Sequence, residues 1–290
     1  MKLGRGWRSA LAGGLVAVAA GAATMAALPA NAVVGGTGAS TQDYPYVVTF
    51  RLAAAAETLL GLAGQDVPKG FCDGTLVTPT KVLTAGHCVE FMKLAQSLHL
   101  SLDKLVFAIA SRDDLSNKSA GAEAPVRSVW LHPDFSKTKY LDDYRYRNDV
   151  GVVTLTKPLG SATAPIAAAG QTSLYQAGTP ARIIGWGATG DQKTDAGILH
   201  TATVSVVADA DCASPESYGS LYDAAQGVCA GRFDEGGVDT CEYDSGSPLL
   251  IDGVVAGITS WGNGCGKPKF PGVYTRVTTF SDVIRAQIGS

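Results

Sequence analysis

Cys241-Glu242-Tyr243-Asp244-Ser245-Gly246-Ser247-Pro248 reads as a tight turn that presents a serine. A serine that attacks an acyl carbon needs an exposed turn whose backbone N–H groups point at the oxygen that becomes negative, and small residues around it permit that geometry. An Asp-Ser-Gly run alone is common in surface turns, so the weight falls on what the rest of the chain supplies. Serine is a weak nucleophile at neutral pH; an imidazole must take its proton, and a carboxylate must orient the imidazole. Both occur upstream in marked settings, Thr84-Ala85-Gly86-His87-Cys88 and Arg147-Asn148-Asp149-Val150-Gly151-Val152-Val153. His99, His132 and His200 lack such flanks and read as ordinary surface or core histidines.

Around these motifs the chain is a series of short β-branched and aromatic runs separated by Gly and Pro: 46–50, 81–84, 126–131, 150–156, 181–186, 203–207, 254–261 and 272–277. Many short strands with turn punctuation point to an all-β sandwich or barrel. The Ala/Gly/Pro-rich stretch 157–171 is the natural connector between a first half, 33–156, and a second, 172–290. Two helical signals interrupt the strands. Residues 279–288 carry a cap candidate at Ser281 and apolar Val283, Ile284 and Ile288, which suits a short C-terminal helix. In 91–105, Phe91, Leu94, Ala95, Leu98, Leu102 and Leu105 follow helical spacing and predict one buried face. Residues 52–70 read as an inserted loop, helical at its Ala-rich start.

Residues 1–32 stand apart. Lys2, Arg5 and Arg8 precede an Ala/Gly/Val run, and Ala30-Asn31-Ala32 offers a small-x-small cleavage site, the pattern of a secretory signal peptide. A membrane anchor needs about 20 strongly apolar residues, whereas this run is Ala/Gly-rich and broken by Pro29. Cleavage after Ala32 removes three positive charges and takes the net charge from −3 to −6. A mildly acidic chain without a basic run is a poor nucleic-acid binder. The six cysteines all follow the leader, and an even count in an exported chain favours disulfides, in any of 15 connectivities; no close C-x-x-C pair suggests zinc.

Taken together, the motifs resemble the chymotrypsin/trypsin family of secreted serine endopeptidases, most closely its bacterial trypsin-like members. The serine turn resembles that family's G-D-S-G-G-P, the histidine segment its T-A-A-H-C and the aspartate segment its N-D-I-A-L-L, and the order His87, Asp149, Ser245 is the chymotrypsin-type order. The resemblance covers essentially 33–290 and implies two antiparallel six-stranded β-barrels with a short C-terminal helix and the site between them. It implies disulfides Cys72 to Cys88, Cys212 to Cys229 and Cys241 to Cys265. His87 is implied as general base, Asp149 as its orienter, Ser245 as nucleophile, and the N–H groups of Tyr243 and Ser245 as the oxyanion hole. Val33-Val34-Gly35-Gly36 resembles the family's I-V-G-G start, whose new α-ammonium pairs with the aspartate before the nucleophile, here Asp244. The residue before Val33 is Ala32 rather than Lys or Arg, so export itself is expected to create that N-terminus, with no separate zymogen.

The resemblance also implies substrate specificity. The pocket base, six residues before the nucleophile, is Asp239, and the walls come from Ser260-Trp261-Gly262 and Phe270-Pro271-Gly272-Val273-Tyr274. A carboxylate at the end of a deep slot favours cleavage after Arg or Lys, and the backbone at 260–262 would pair with substrate as an added strand. Glu242 at the rim should disfavour acidic substrate residues. Three positions depart from the family: Tyr243, Ser247 and Asp73 stand where it usually has glycine. Either Tyr243 misaligns its N–H, at a cost of about 3 kcal/mol, or the donor stays aligned and the side chain narrows the subsites beyond the cut and weakens rigid protein inhibitors. The intact triad, latch and pocket residues favour the second. The rival function is a protease-fold binding protein with an impaired oxyanion hole. The nearer alternative is a narrow-specificity enzyme whose two inserts restrict access. Asp113, Asp114, Asn117 and Glu123 lie near the family's calcium-loop region but match no calcium motif, so neither metal nor cofactor is expected. Expected partners are protein or peptide substrates and protein protease inhibitors, without nucleic acid and, after leader cleavage, without a membrane; the chain is expected to be a monomer.

Overall fold

Short apolar runs bounded by turns can bury themselves only by pairing, and here they pair into two closed rings. The computed structural model describes residues 33–59, 69–141, 143–160, 162–190 and 196–289; the expected leader, residues 1–32, and part of the loop insert, residues 60–68, lie outside the described residues. The strands are β1 (Thr37–Gly38), β2 (Val47–Leu52), β3 (Cys72–Thr78), β4 (Lys81–Thr84), β5 (Val106–Ala110), β6 (Ala122–Leu131), β7 (Ser136–Tyr140) and β8 (Asp143–Arg147). They continue as β9 (Gly151–Leu155), β10 (Pro180–Gly185), β11 (His200–Val206), β12 (Gly227–Gly231), β13 (Pro248–Ile251), β14 (Val254–Trp261) and β15 (Gly272–Arg276). The helices are α1 (Ala54–Leu59), α2 (Gly86–Ser97), α3 (Asp209–Cys212) and α4 (Val277–Ile288).

The first barrel closes in the order β2-β3-β4-β9-β6-β5, and the second runs β11-β10-β13-β14-β15-β12 and closes through β11–β12. Every pairing in both is antiparallel, the fold that the resemblance implies. Closure removes exposed edges, and the interiors fill with large side chains: Phe50, Leu76, Leu83, Ile109 and Leu155 in the first, Ile183, Ile184, Leu249, Ile251 and Tyr274 in the second. Although β1 precedes the first barrel in sequence, it pairs with β11 of the second. The connector is likewise tied across, through a parallel bridge from Ile166 to Val255. Among the described residues no helix is long and apolar enough to cross a membrane.

Two helix expectations need correction. The helix expected over 91–105 starts earlier, at Gly86, ends at Ser97, and is followed only by a single 3-10 turn at Leu102–Lys104. Its buried positions are Gly86, Cys88, Val89 and Met92. A disulfide at Cys88 fixes that face inward and rotates Leu94 and Leu98 outward, each 62% exposed. Ser281 caps nothing: α4 begins at Val277, directly after β15, and Ser281 is buried inside it beside Phe280 and Ile284. The C-terminal stop is Gly289, in the left-handed region at φ +79°, where glycine costs least.

Candidate active site

β4 ends at Thr84 and α2 begins two residues later, which puts His87 in the first turn of a helix. N–H groups there have no intrahelical acceptor and favour an anion. Asp149 supplies it: its Oδ1 accepts the His87 N–H at 2.8 Å and its Oδ2 lies 2.8 Å from His87 Nδ1. Asp149 is 2% exposed, and a third donor, Ser260 Oγ, reaches Oδ2 at 2.5 Å. Asp149 is aimed by its neighbour Asn148, which takes φ +49° and donates its side-chain amide to the Asp134 carbonyl; asparagine tolerates this left-handed region better than most residues. With Nδ1 donating to the carboxylate, Nε2 is left as the acceptor, the tautomer a general base needs.

Ser245 sits between two successive turns. Asp244 N–H donates to the Cys241 carbonyl at 3.1 Å, and Ser247 N–H to the Asp244 carbonyl at 3.0 Å. In each, only the third residue has positive φ, Tyr243 at +74° and Gly246 at +86°, the signature of type II turns. Gly246 has no substitute here, since a Cβ would collide with the Asp73 carbonyl and Thr84 Oγ1. That close approach docks the turn against the first barrel. The Asp73 N–H donates to the Ser245 carbonyl at 2.7 Å, and the Cys88 sulfur lies 3.5 Å from the same oxygen. Neither the Tyr243 nor the Ser245 N–H is taken by a backbone carbonyl among the described residues. The Glu242 carbonyl accepts the Ala188 N–H at 2.8 Å; in a trans peptide the Tyr243 N–H therefore points away from Ala188.

A cleft of about 570 Å³ opens beside Ser245, with Asp239 at its base and Ser260, Trp261, Gly262 and Gly272 along its walls. Asp239 is 2% exposed; Oδ2 accepts the Gly266 N–H at 3.1 Å, and Oδ1 has no partner among the described residues. Burial pushes its carboxyl up to about 7, against the lowering effect of the Gly266, Thr240 and Gly272 amides. A Cβ on Gly272 would stand 2.6 Å from Asp239 Oδ1, so this glycine keeps the base open. Val33 is fully buried, and Val34 forms a bridge to Asp239, whose N–H donates to the Val34 carbonyl at 3.2 Å. Asp244 is fully buried as well, its carboxylate accepting the Gly187 and Cys241 N–H groups at 2.8 and 2.9 Å; burial raises its pKa. The three disulfides join Cys72 to Cys88, Cys212 to Cys229 and Cys241 to Cys265.

The acidic residues near the expected calcium-loop region do not converge. Asp113 bonds Ser40 and Thr41, Asp114 bonds Ser116, and Asn117 bonds Ser119. Glu123 pairs with Arg51 and with Arg112, and the buried Arg112 guanidinium also donates to the Ala120 and Lys118 carbonyls. An internal cation thus draws this loop together. Cys72, His87 and Cys88 lie close enough to suggest a metal cluster, but the disulfide has consumed both thiolates.

Sequence reading missed the hairpin β7–β8, whose polar alternation of Lys, Arg and Tyr carries no core signal. It overhangs the site: Tyr146 stacks on the His87 ring at 4.3 Å between centroids, Tyr140 and Leu141 line the cleft, and Tyr140 meets Trp261 edge-on. Lys137 pairs with Glu90 of α2, and Arg147 with Asp223 of the second barrel, so the strap is tied at both sides. Nor does the sequence show the Ser260 hydroxyl on Asp149; there Ser260 is a pocket-wall residue whose backbone pairs with substrate.

The trypsin family model matches residues 33–284. The chain is 36% identical over 258 residues to a trypsin from Saccharopolyspora erythraea, covering 89% of this chain and 99% of that protein. It is 32% identical over 261 residues to trypsin-1 of Astacus astacus, with 88% and 99% covered. Human serine protease 56 is 32% identical over 267 residues, 89% of this chain but 39% of that longer protein.

Proposed function

This chain belongs to the trypsin family and is a trypsin-like serine endopeptidase, and from that premise we propose that it is a secreted enzyme cutting peptide bonds after Arg or Lys. The observation that carries the specificity is Asp239, a buried carboxyl with an unpartnered oxygen at the base of an open cleft beside Ser245. In the proposed reaction Ser245 Oγ attacks the scissile carbonyl while His87 Nε2 takes its proton, and the imidazolium that forms is held by Asp149. The oxygen that becomes negative is met by the Tyr243 and Ser245 N–H groups. His87 then protonates the leaving amine, and water repeats the sequence in reverse roles to release the acyl group. The backbone of 260–262 adds the substrate as a strand. Substrates and protein inhibitors are the proposed partners of a monomer, and Tyr243 at φ +74° narrows the leaving-group side without removing its N–H.

A panel of peptide amides differing only before the cut tests the specificity. Arg and Lys substrates should exceed Phe and Leu by at least about a hundredfold in kcat/KM, as a buried charge-assisted pair supplies about 3 kcal/mol or more. Faster turnover of Phe or Leu would refute it. The pH dependence has a fixed sign. Below about 7 Asp239 is neutral and above it a carboxylate, so the Arg-to-Phe ratio of kcat/KM should rise with pH through 7, a ratio in which any pH dependence common to both substrates cancels.

The residues 1–32 act, in this proposal, as a secretory leader cut after Ala32, and the Val33 ammonium so created pairs with Asp244. In the uncut chain Asp244 is buried without that cation, which burial makes costly. The mass of the secreted chain should correspond to a start at Val33 from its first appearance. A longer active-site-silent form that is later trimmed would instead establish a separate zymogen.

A further inference from the structure

Three successive amides just after β10 donate to groups around Ser245, the first to Asp73 of β3 and the next two to the turn that carries the serine. The Trp186 N–H reaches Asp73 Oδ2 at 3.2 Å, the Gly187 N–H reaches Asp244 Oδ1 at 2.8 Å, and the Ala188 N–H reaches the Glu242 carbonyl at 2.8 Å. The last of these fixes the peptide plane that carries the Tyr243 N–H. Tyr243 holds φ +74°, a region that a side chain disfavours, so its turn is biased to flip.

Asp73 supplies the first anchor of this ladder. It is 1% exposed, and Trp186 is 2% exposed. Its carboxyl and that of Asp244 crowd one point: a Cβ on Gly185 would collide with Asp244 Oδ1 and stand 2.9 Å from Asp73 Oδ2. Asp73 Oδ1 has no partner among the described residues, and the neighbouring Thr49 hydroxyl donates to the Cys72 carbonyl at 3.1 Å. Burial beside Asp244 raises the Asp73 carboxyl well above the usual range, and its Oδ2 accepts the Trp186 N–H. Removing it leaves the Trp186 N–H buried and unpaired, the costly way to lose a hydrogen bond.

We propose that Asp73 and Tyr243, two departures from the family's glycines on either side of Ser245, are energetically coupled. Asp73 anchors the Trp186–Ala188 segment that keeps the strained Tyr243 turn in its oxyanion-binding form. Asp73 is a positioning residue, and the proposal rests on reading Ser245 as the nucleophile.

The test is a double-mutant cycle of Asp73→Gly and Tyr243→Gly in the processed enzyme. With Tyr243 present, Asp73→Gly should lower kcat about tenfold, the factor that ~1.4 kcal/mol of lost transition-state stabilisation produces, with little change in KM because the Asp239 pocket is untouched. In the Tyr243→Gly background, the same change should cost about threefold or less, since glycine keeps the turn without help. Asp73→Asn, whose amide oxygen still accepts the Trp186 N–H, should restore most of the lost kcat. Equal losses in both backgrounds, or Asp73→Asn as damaging as Asp73→Gly, would overturn the coupling. Asp73→Ser serves as the milder variant if Asp73→Gly does not fold. The same cycle, run by urea unfolding on the Ser245→Ala form, should show the coupling as a non-additive midpoint shift. If the parent enzyme lacked Ser245-dependent turnover, the functional reading would fall while this second cycle still decided the coupling.

Discussion

Replacing His87 by alanine is expected to lower kcat on the order of a millionfold, the cost of removing the proton acceptor from an acyl-transfer unit that acts as a whole. Its ring is 13% exposed, bonds the buried Asp149 carboxylate and stacks on Tyr146, so the unfolding free energy should also fall, by about 1–3 kcal/mol, far too little to explain the loss of activity. Asp149→Asn should cost about ten-thousandfold, because an amide no longer enforces the tautomer in which Nδ1 donates and Nε2 accepts. That variant also disturbs the Ser260 hydroxyl and the His87 N–H, both of which now donate to the carboxylate. Single-turnover kinetics on an Arg ester separates these losses from binding. A His87→Ala enzyme within a hundredfold of the parent would mean that another group takes the proton.

Asp239→Ser should remove about 2–5 kcal/mol from transition-state binding of Arg and Lys substrates, a loss of thirtyfold to several thousandfold in kcat/KM. It should leave Phe and Leu substrates level or faster, since the cleft then ends in a small neutral group. The chain should also gain stability. A carboxyl raised to about 7 stabilises the fold only below the ordinary aspartate range, and that contribution is lost as pH rises through 7, where burying the charge becomes a cost. The variant lacks that cost, so its advantage in urea midpoint should be larger at pH 8 than at pH 5. An unchanged Arg-to-Phe ratio would place the specificity determinant elsewhere.

Much of this was legible because turns and short strands carry local signals. The runs 81–84 and 254–261 coincide with β4 and β14, and the eight expected runs all fall on strands. Seven strands fall outside those runs, and three of them carry a pattern dictated by neighbours. β12 is Gly-Val-Cys-Ala-Gly, buried throughout, with side chains too small to announce a strand. β7 and β8 are polar and solvated, yet they place Tyr146 over His87. The α2 error has a tertiary cause, since helical spacing in 91–105 was real but the Cys88 disulfide chose which face turns inward. At the site, residue types and order were readable from motifs. The ladder of amides from Trp186 to Ala188 was not, because its donors are main-chain N–H groups without sequence signature and its acceptors, on Asp73, Asp244 and Glu242, lie more than fifty residues away.

Tyr243 concentrates the central question, whether a turn with a side chain at φ +74° still delivers a working oxyanion hole beside Ser245. Titration of the purified chain beginning at Val33 with a serine-reactive phosphonyl fluoride, read by intact mass, addresses it directly. One adduct per chain is expected, formed with loss of peptide-amide turnover and absent from Ser245→Ala. A folded chain with that N-terminus and no Ser245-dependent adduct would contradict it and favour a binding protein built on a protease fold.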